Sequence, residues 1–322
     1  MSKTLKILIV RFSSIGDIVL TTPVIRSLKH HSNTQVHFLT QHRYHSILAN
    51  NPNVDKVFFL GDSLYQVVQD LKEEKYDYII DLHNNLRSLS LILLGTTIKR
   101  YSKSNFKKFM YMKFGINCLN NTHVVDRYMD TIKFLGVKND NQGLDYYIDP
   151  KVDVDFNIDQ RFVAWSIGAS QNQKKLSVSQ VSDVVSKMDL PIVLLGGENE
   201  REDGEKIINE SNRDNIFNFC GRLTLDKSAY IIKHCLFLLS NDTGLMHIGA
   251  ALQKNIISFW GCTKPDMGFS PYVSGDKSIK IVSSKSKRQC SKHGNSCRFT
   301  NDGCIKLIDT KEIYDAVEKL SS

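Results

Sequence analysis

Three stretches of this sequence have residue types and spacing that could do chemistry. The first is Ser240-Asn241-Asp242-Thr243-Gly244-Leu245-Met246-His247. It follows an apolar run of strand length, 235–239, and leads into small residues at helix-compatible spacing and a second apolar run, 255–261. That order predicts strand, tight turn, helix, strand. Asp242 and Thr243 fall where an N-cap belongs, and Gly244 lets a ligand come close to the backbone. A helix start presents unpaired N–H groups and partial positive charge, which suits a phosphate or diphosphate. The Asp242 carboxylate then has two uses open to it: hydrogen bonds to sugar hydroxyls, or capping of its own helix. The second stretch is the polar loop 168–175, where Lys174 and Lys175 either meet a diphosphate as point charges or are simply solvated. Glu198, beside Gly196 and Gly197 at a strand end, either accepts hydrogen bonds from a nucleoside or is a surface turn acid. The third is the turn Ser13-Ser14-Ile15-Gly16-Asp17, in which Asp17, taken alone, reads as a first-turn acid complementing a helix dipole. It is neither a G-x-G-x-x-G fingerprint nor a P-loop, so a nicotinamide cofactor gains little support.

The elements that must carry these residues alternate. Strand patterns at 6–12, 36–40, 56–60 and 76–83 are separated by helical patterns at 18–29, 44–50 and 63–74, with another at 85–94. This predicts a doubly wound parallel sheet, with its polar loops at the carboxyl ends of the strands. The segment 98–116 breaks the rhythm. It holds Lys99, Arg100, Lys103, Lys107, Lys108 and Lys113 with no acid, interleaved with Tyr101, Phe106, Phe109, Tyr111 and Phe114. Such a piece can lie on an anionic membrane, grip an anionic glycan or RNA, or pack by its aromatics with a solvated basic face. A helix at 123–135 follows. Residues 137–160 are polar and irregular, and a domain boundary is expected near 150–158. The second half restarts the alternation, with strands at 162–167, 191–198, 216–219, 235–239 and 255–261 and a closing helix at 310–320. Two such halves predict a ligand in a cleft between them.

Composition narrows the class. The 322 residues are 41% hydrophobic and 24% charged, long enough for two domains with separate cores. No apolar run reaches the roughly 20 residues that span a bilayer, and no signal-peptide pattern is evident, so a cytoplasmic location is expected. The net charge is +8; the first 150 residues hold 19 Lys and Arg against 13 Asp and Glu, which favours an anionic partner for that half. Seven cysteines are expected to be reduced thiols. Cys290, Cys297 and Cys304 recur with six residues between neighbours and His293 among them, a weak metal signal because zinc sites favour closer pairs, though three thiols and one imidazole could still make a Cys3His set.

The chain resembles the bacterial lipopolysaccharide heptosyltransferases, glycosyltransferase family 9, over nearly its whole length. The resemblance rests on Ile7-Leu8-Ile9-Val10-Arg11-Phe12-Ser13-Ser14-Ile15-Gly16-Asp17-Ile18, on Asp81-Leu82-His83 followed by Leu86-Arg87-Ser88, and on His123-Val124-Val125-Asp126-Arg127-Tyr128. It rests also on 240–247 and on the cysteine-bearing tail ending Cys304-Ile305-Lys306. It implies an α/β protein of GT-B architecture, two Rossmann-like doubly wound domains facing a central cleft. The expected domains are 1–155, for the acceptor, and 156–322, for the nucleotide sugar, with the last helix able to pack back on the first.

The same resemblance implies an inverting transfer of heptose from ADP-heptose to a Kdo- or heptose-bearing lipid A core, with no cofactor and no metal. Asp17 would be the general base. Ser170, Lys174, Glu198, Asp242, Thr243, Gly244 and His247 would meet the donor, and Ser13, Ser14, Gly16, Arg87 and Arg100 the acceptor. The partners implied are a nucleotide sugar, an anionic lipid-linked glycan and the inner leaflet of the cytoplasmic membrane, reached through 98–116; no nucleic acid is expected. Where the family usually reads Lys-x-Trp-Pro this chain has Lys174-Lys175-Leu176-Ser177, so Lys175 rivals Lys174. Where the family often has Gly-Pro-Thr it has Gly261-Cys262-Thr263. Other readings are transfer from a different nucleotide sugar, a sugar-nucleotide epimerase on the same architecture, and a non-catalytic protein binding RNA or anionic glycan. The epimerase would not need the basic segment, and in the binding protein Asp17 and Asp242 would be dispensable caps.

Overall fold

A computed structural model describes residues 4–31, 33–61, 64–118, 122–275, 277–285 and 287–321. In chain order the first elements are β1 (Leu5–Val10), α1 (Ile15–Val19), α2 (Thr22–His31), β2 (Thr34–Thr40), α3 (Ser46–Ala49), β3 (Lys56–Phe59), α4 (Leu64–Glu73), β4 (Tyr78–Asp81), α5 (Leu86–Leu89), β5 (Thr97–Arg100), α6 (Asn105–Phe114) and α7 (Val124–Met129). Then come β6 (Val163–Ser166), α8 (Val178–Val185), β7 (Ile192–Leu195), α9 (Arg201–Ser211), β8 (Ile216–Asn218), α10 (Leu225–His234), β9 (Phe237–Asn241), α11 (Gly244–Ala251), β10 (Asn255–Trp260), β11 (Ser278–Val282) and α12 (Thr310–Ser321). Ser63, the expected start of α4, lies outside the described residues.

The chain divides into two compact units, one of Met1–Ser104 and Thr122–Tyr147, the other of Asn105–Asn121 and Ile148–Ser322. The sequence expectation put the division at 155/156 and kept all of 98–116 in the first domain; here 105–121 belongs with the second unit. The closing helix α12 packs on α8, β10 and β11 of its own unit.

Each unit is built on one wholly parallel sheet. The first has the order β3-β2-β1-β4-β5 and the second β11-β10-β9-β6-β7-β8. Both orders run outward in two directions from their first strand, so each unit has a switch point, at β1/β4 and at β6/β9. Burial explains the apolar runs. Ile7, Leu8, Ile9 and Val10 of β1 are all fully buried, as are Val163, Ala164 and Trp165 of β6, because a parallel strand is covered on both faces. The second core gathers Trp165, Val184, Leu194, Leu239, Phe259 and Ile313 from strands and helices alike.

The single helix expected at 18–29 is two helices, α1 and α2, joined through Leu20 and Thr21. Pro23 has no N–H for the carbonyl of Val19, and that carbonyl accepts instead from the Thr22 hydroxyl at 2.8 Å. The basic aromatic segment is likewise not one piece. Residues 97–100 form the edge strand β5, and α6 packs within the second unit through buried Tyr111, which touches Met267 and Phe269 and donates to Asp266 at 3.3 Å. Phe106, Phe109 and Phe114 of α6 are exposed. No helix among the described residues is long and apolar enough to cross a membrane.

The polar stretch 137–147 is fastened to α2 by Arg26, which is 4% exposed. Its Nε donates to Asp140 Oδ2 at 2.7 Å and its Nη2 to Asp140 Oδ1 and Gly143 O, both at 2.8 Å; Nη1 pairs with Asp145. Removing the guanidinium strands two partly buried carboxylates. Arg26→Ala is therefore expected to cost about 3 kcal/mol, the lower end of the range for breaking a buried pair because both acids keep some solvent contact. Urea unfolding checks it; a loss below about 1 kcal/mol, the scale of a surface pair, would contradict the anchoring role.

Candidate functional site

In the first unit the β1/β4 register aligns Val10 with Asp81, so the residues just past both strands meet. Arg11 joins them. Its Nη1 donates to Leu82 O at 2.7 Å, its Nε to Ser13 O at 2.7 Å, and its Nη2 pairs with Asp17 Oδ2 at 2.8 Å. The same Asp17 oxygen accepts from Ser14 N at 3.2 Å and Ser14 Oγ at 2.9 Å. Among the described residues these contacts converge on Oδ2 and none falls on Oδ1. Burial pushes the Asp17 carboxyl up, but the Arg11 charge and the donors from Ser14 and Arg11 outweigh it and hold the carboxyl below its ordinary value. Asp17 is thus an ionised carboxylate with one oxygen anchored, a group able to accept a proton from a hydroxyl. It also caps the first turn of α1, so the structural and chemical uses coincide.

Around it, Ser13 and Ser14 form the turn and Gly16 is buried in the first turn of α1. Asp81 is fully buried; Oδ1 accepts from the backbone N–H groups of His83 (3.1 Å) and Asn84 (2.7 Å), and Oδ2 from Ser88 Oγ (2.7 Å). Arg100 Nε lies 3.4 Å from Asp81 Oδ2 without hydrogen-bond geometry, and its buried Nε and Nη2 make no hydrogen bond among the described residues. Arg87 is exposed on α5. Sequence reasoning gave no role to Arg11 or His83. His83 packs its ring on Phe12 at 4.8 Å and keeps Nδ1 buried without a hydrogen-bond partner among the described residues. Its signal was position: like Arg11, it is a polar residue just beyond a buried strand.

In the second unit the site forms at β6/β9. Asn241, buried at the end of β9, donates through Nδ2 to Ile167 O at 2.8 Å, and its Oδ1 accepts from Leu176 N at 3.4 Å. Asn241, another residue not assigned from sequence, so ties the strand end to the loop carrying the lysines. Lys174 ends a short 3-10 turn, Asn172–Lys174, and its Nζ pairs with Asp242 Oδ2 at 2.7 Å. The two side chains are 11% and 14% exposed, enough for a ligand to reach. Lys175 turns elsewhere, to Glu200 Oε1 and Asp203 Oδ2, both at 3.1 Å. Thr243 is the N-cap of α11 but makes no side-chain cap hydrogen bond, so Asp242 does not act as the cap its position allowed. Gly244 opens the helix, and His247, one turn on, is buried. Ser170 is exposed in the loop after β6. Glu198 is not joined to this cluster: it is exposed and pairs with Arg201 Nη2 at 2.8 Å.

The three spaced cysteines do meet, and a fourth sulfur joins them from Cys262, which sequence reasoning treated only as a departure at the end of β10. His293 is not part of this group.

His83 gives a pH signature. Burial, then the charges of Arg11 and Lys103, outweigh Asp81 and Asp17 and hold its imidazole down at about 4, against 6.5 ordinarily. It is neutral at pH 7. The unfolded chain takes up this proton near pH 6.5 and the folded chain only near 4. The contribution is therefore intact above pH 6.5 and is lost as pH falls through that window, by about 2 kcal/mol between pH 7 and pH 5. His83→Gln should lose less stability over this interval than the wild type, read from urea midpoints; equal losses would contradict a neutral buried His83.

Comparison with known proteins follows the same lines. The pattern of Glycosyltransferase family 9 (heptosyltransferase) matches residues 64–300. Lipopolysaccharide heptosyltransferase 1 of Campylobacter coli is 23% identical over 98% of this chain and 99% of its own. A crystal structure of a family 9 glycosyl transferase from Veillonella parvula superposes with a TM-score of 0.80 at 19% identity, over 98% of this chain and 97% of that one. E. coli heptosyltransferase WaaC with ADP superposes with a TM-score of 0.70 at 16% identity, over 98% of this chain and all of the other. The two α/β units with parallel sheets flanked by helices are those of the GT-B fold. The chain belongs to glycosyltransferase family 9, the heptosyltransferase family.

Proposed function

We propose that this glycosyltransferase moves a heptose, with inversion, from ADP-heptose to a Kdo- or heptose-bearing lipid A acceptor at the inner face of the cytoplasmic membrane. The observation that carries the reading is the Lys174–Asp242 pair beside the uncapped start of α11. A diphosphate needs a cation and free N–H donors, and a sugar needs a carboxylate for its hydroxyls; this corner supplies all three. The pair holds Lys174 in place before the donor arrives. The diphosphate then competes for the ammonium, and Asp242 is released toward the sugar hydroxyls. As the glycosidic bond breaks, Lys174 and the N–H groups of Thr243 and Gly244 stabilise the charge developing on the leaving diphosphate. Glu198 accepts from the nucleoside after giving up Arg201, with Ser170 and His247 completing the donor contacts.

Asp17 accepts the proton of the attacking hydroxyl on Oδ1. A carboxylate held below its ordinary pKa is a weak base in the ground state, but the hydroxyl becomes acidic as its oxygen bonds to the anomeric carbon, so the transfer falls late in the step. Ser13, Ser14, Gly16, Arg87 and Arg100 meet an acceptor rich in phosphates and carboxylates. The exposed aromatics of α6, with Lys107, Lys108 and Lys113, suit an anionic leaflet. The C. coli relative, a lipopolysaccharide heptosyltransferase, and the ADP complex of the E. coli enzyme support this substrate class.

Two variants test the roles. Asp17→Ala should lower kcat by about a thousandfold, within the range for a general base, with donor Kd within about threefold of wild type. Near-normal turnover would remove Asp17 as the base. Asp242→Ala should weaken donor binding by about 10- to 100-fold, the scale of lost charged hydrogen bonds. Unchanged donor affinity would remove Asp242 from the donor site.

A further inference from the structure

The sulfurs of Cys262, Cys290, Cys297 and Cys304 lie within 4.8 Å of one another, and none of the four is in a disulfide. Cys262 Sγ and Cys304 Sγ are 3.7 Å apart. A disulfide would bring them to about 2 Å. Four sulfurs at about 2.3 Å from one tetrahedral ion stand about 3.8 Å from each other, which matches the Cys262–Cys304 separation and lies within the span of the other two. The remaining three cysteines, Cys118, Cys220 and Cys235, are not in the group.

The surroundings suit thiolates. Cys290 N donates to Cys262 O at 2.9 Å, which fixes two of the ligand-bearing backbones together. Cys297 Sγ accepts from Phe299 N at 3.5 Å and from Thr300 Oγ1 at 3.8 Å. Lys264, two residues from Cys262 and only 3% exposed, donates through Nζ to Ser283 O at 3.1 Å.

We propose that these four cysteines form a closed tetrathiolate site for one thiophilic ion, zinc or iron, whose role is structural. Residues 283–303 form no helix or strand among the described residues, so an ion would do for this loop what a core does elsewhere. The sequence reading found only a weak metal signal because CxxC pairs are absent, and the family resemblance implied no metal. The fold supplies the proximity instead, by setting the turn after β10 against the tail. The ion is separate from the chemistry of transfer.

The loop so fastened touches two functional segments of its own unit. A Cβ on Gly303 would come within 2.6 Å of Gln173 O, and one on Gly294 within 2.9 Å of Lys174 Cδ, so both glycines press on the turn that carries Lys174. Arg288 and Arg298 donate to the carbonyls of Lys113 and Met112, capping the C-terminal end of α6. The site thus braces the lysine turn and the end of α6 from one point.

The test begins with metal analysis of the chain purified without a chelator. One ion per chain is expected, and the spectrum distinguishes the two occupants: zinc is colourless, while iron shows thiolate charge-transfer bands. Cys262→Ser and Cys304→Ser should each lose the ion and Cys118→Ser should retain it. Removing the ion should speed tryptic cleavage at Lys107, Lys108 and Lys113 and weaken ADP-sugar binding by about tenfold through loss of preorganisation. A folded wild type with less than about a tenth of an ion per chain, its cysteines free or oxidised to disulfides, overturns the site. That result decides even if the serine variants do not fold. The binding effect alone rests on the proposed donor site. Metal bound with unaltered nucleotide affinity overturns the bracing of Lys174, whereas metal bound with no nucleotide affinity at all overturns the donor reading and leaves the metal site standing.

Discussion

A parallel strand covered on both faces has no room for polar groups along its length, so chemistry is forced to its ends. The rest of this structure follows from that constraint. Arg11, Asp17 and His83 lie just past β1 and β4, and Lys174, Asn241 and Asp242 at or just past β6 and β9. Both groups sit at the strands where the sheet order reverses, the place where open α/β sheets bind their ligands.

Each group pairs a partly buried carboxylate with a cation: Arg11 with Asp17, whose carboxyl it helps hold below its ordinary value, and Lys174 with Asp242. The pairs differ in permanence. Arg11 spends its guanidinium nitrogens on three partners, Ser13 and Asp17 past β1 and Leu82 past β4, which makes it a fixture. Lys174 holds one partner through a flexible stem, which suits a cation that exchanges a carboxylate for a diphosphate. Lys175, next to it, is committed to two carboxylates, so adjacent lysines of equal promise in the sequence are separated by what surrounds them.

The strands of high apolar content were legible in the sequence, as were the turns that follow them, and these carry most of the candidate site. The edge strands β5 and β11 were not. Thr97-Ile98-Lys99-Arg100 and Ser278-Ile279-Lys280-Ile281-Val282 carry the charges that keep sheet edges from pairing further, and those charges mask them as strands. The break between α1 and α2 was written in Pro23, but the Thr22 hydroxyl that accommodates it speaks only in three dimensions. The membership of α6 in the second unit depends on contacts of Tyr111, Lys113 and Met112 with residues more than 150 positions away. Likewise Cys262 is too distant from the other cysteines for spacing to reveal it.

The central claim is that the corner formed by Lys174, Asp242 and the start of α11 receives a nucleotide diphosphate sugar of the ADP-heptose kind. Titration calorimetry of the purified chain with ADP-heptose, beside UDP-glucose, GDP-mannose and NAD, tests it most directly. The account predicts saturable binding of ADP-heptose and much weaker binding of the other three. Equal or tighter binding of another nucleotide sugar would contradict the heptose assignment, and failure of a folded sample to bind any of the four would contradict the donor site itself.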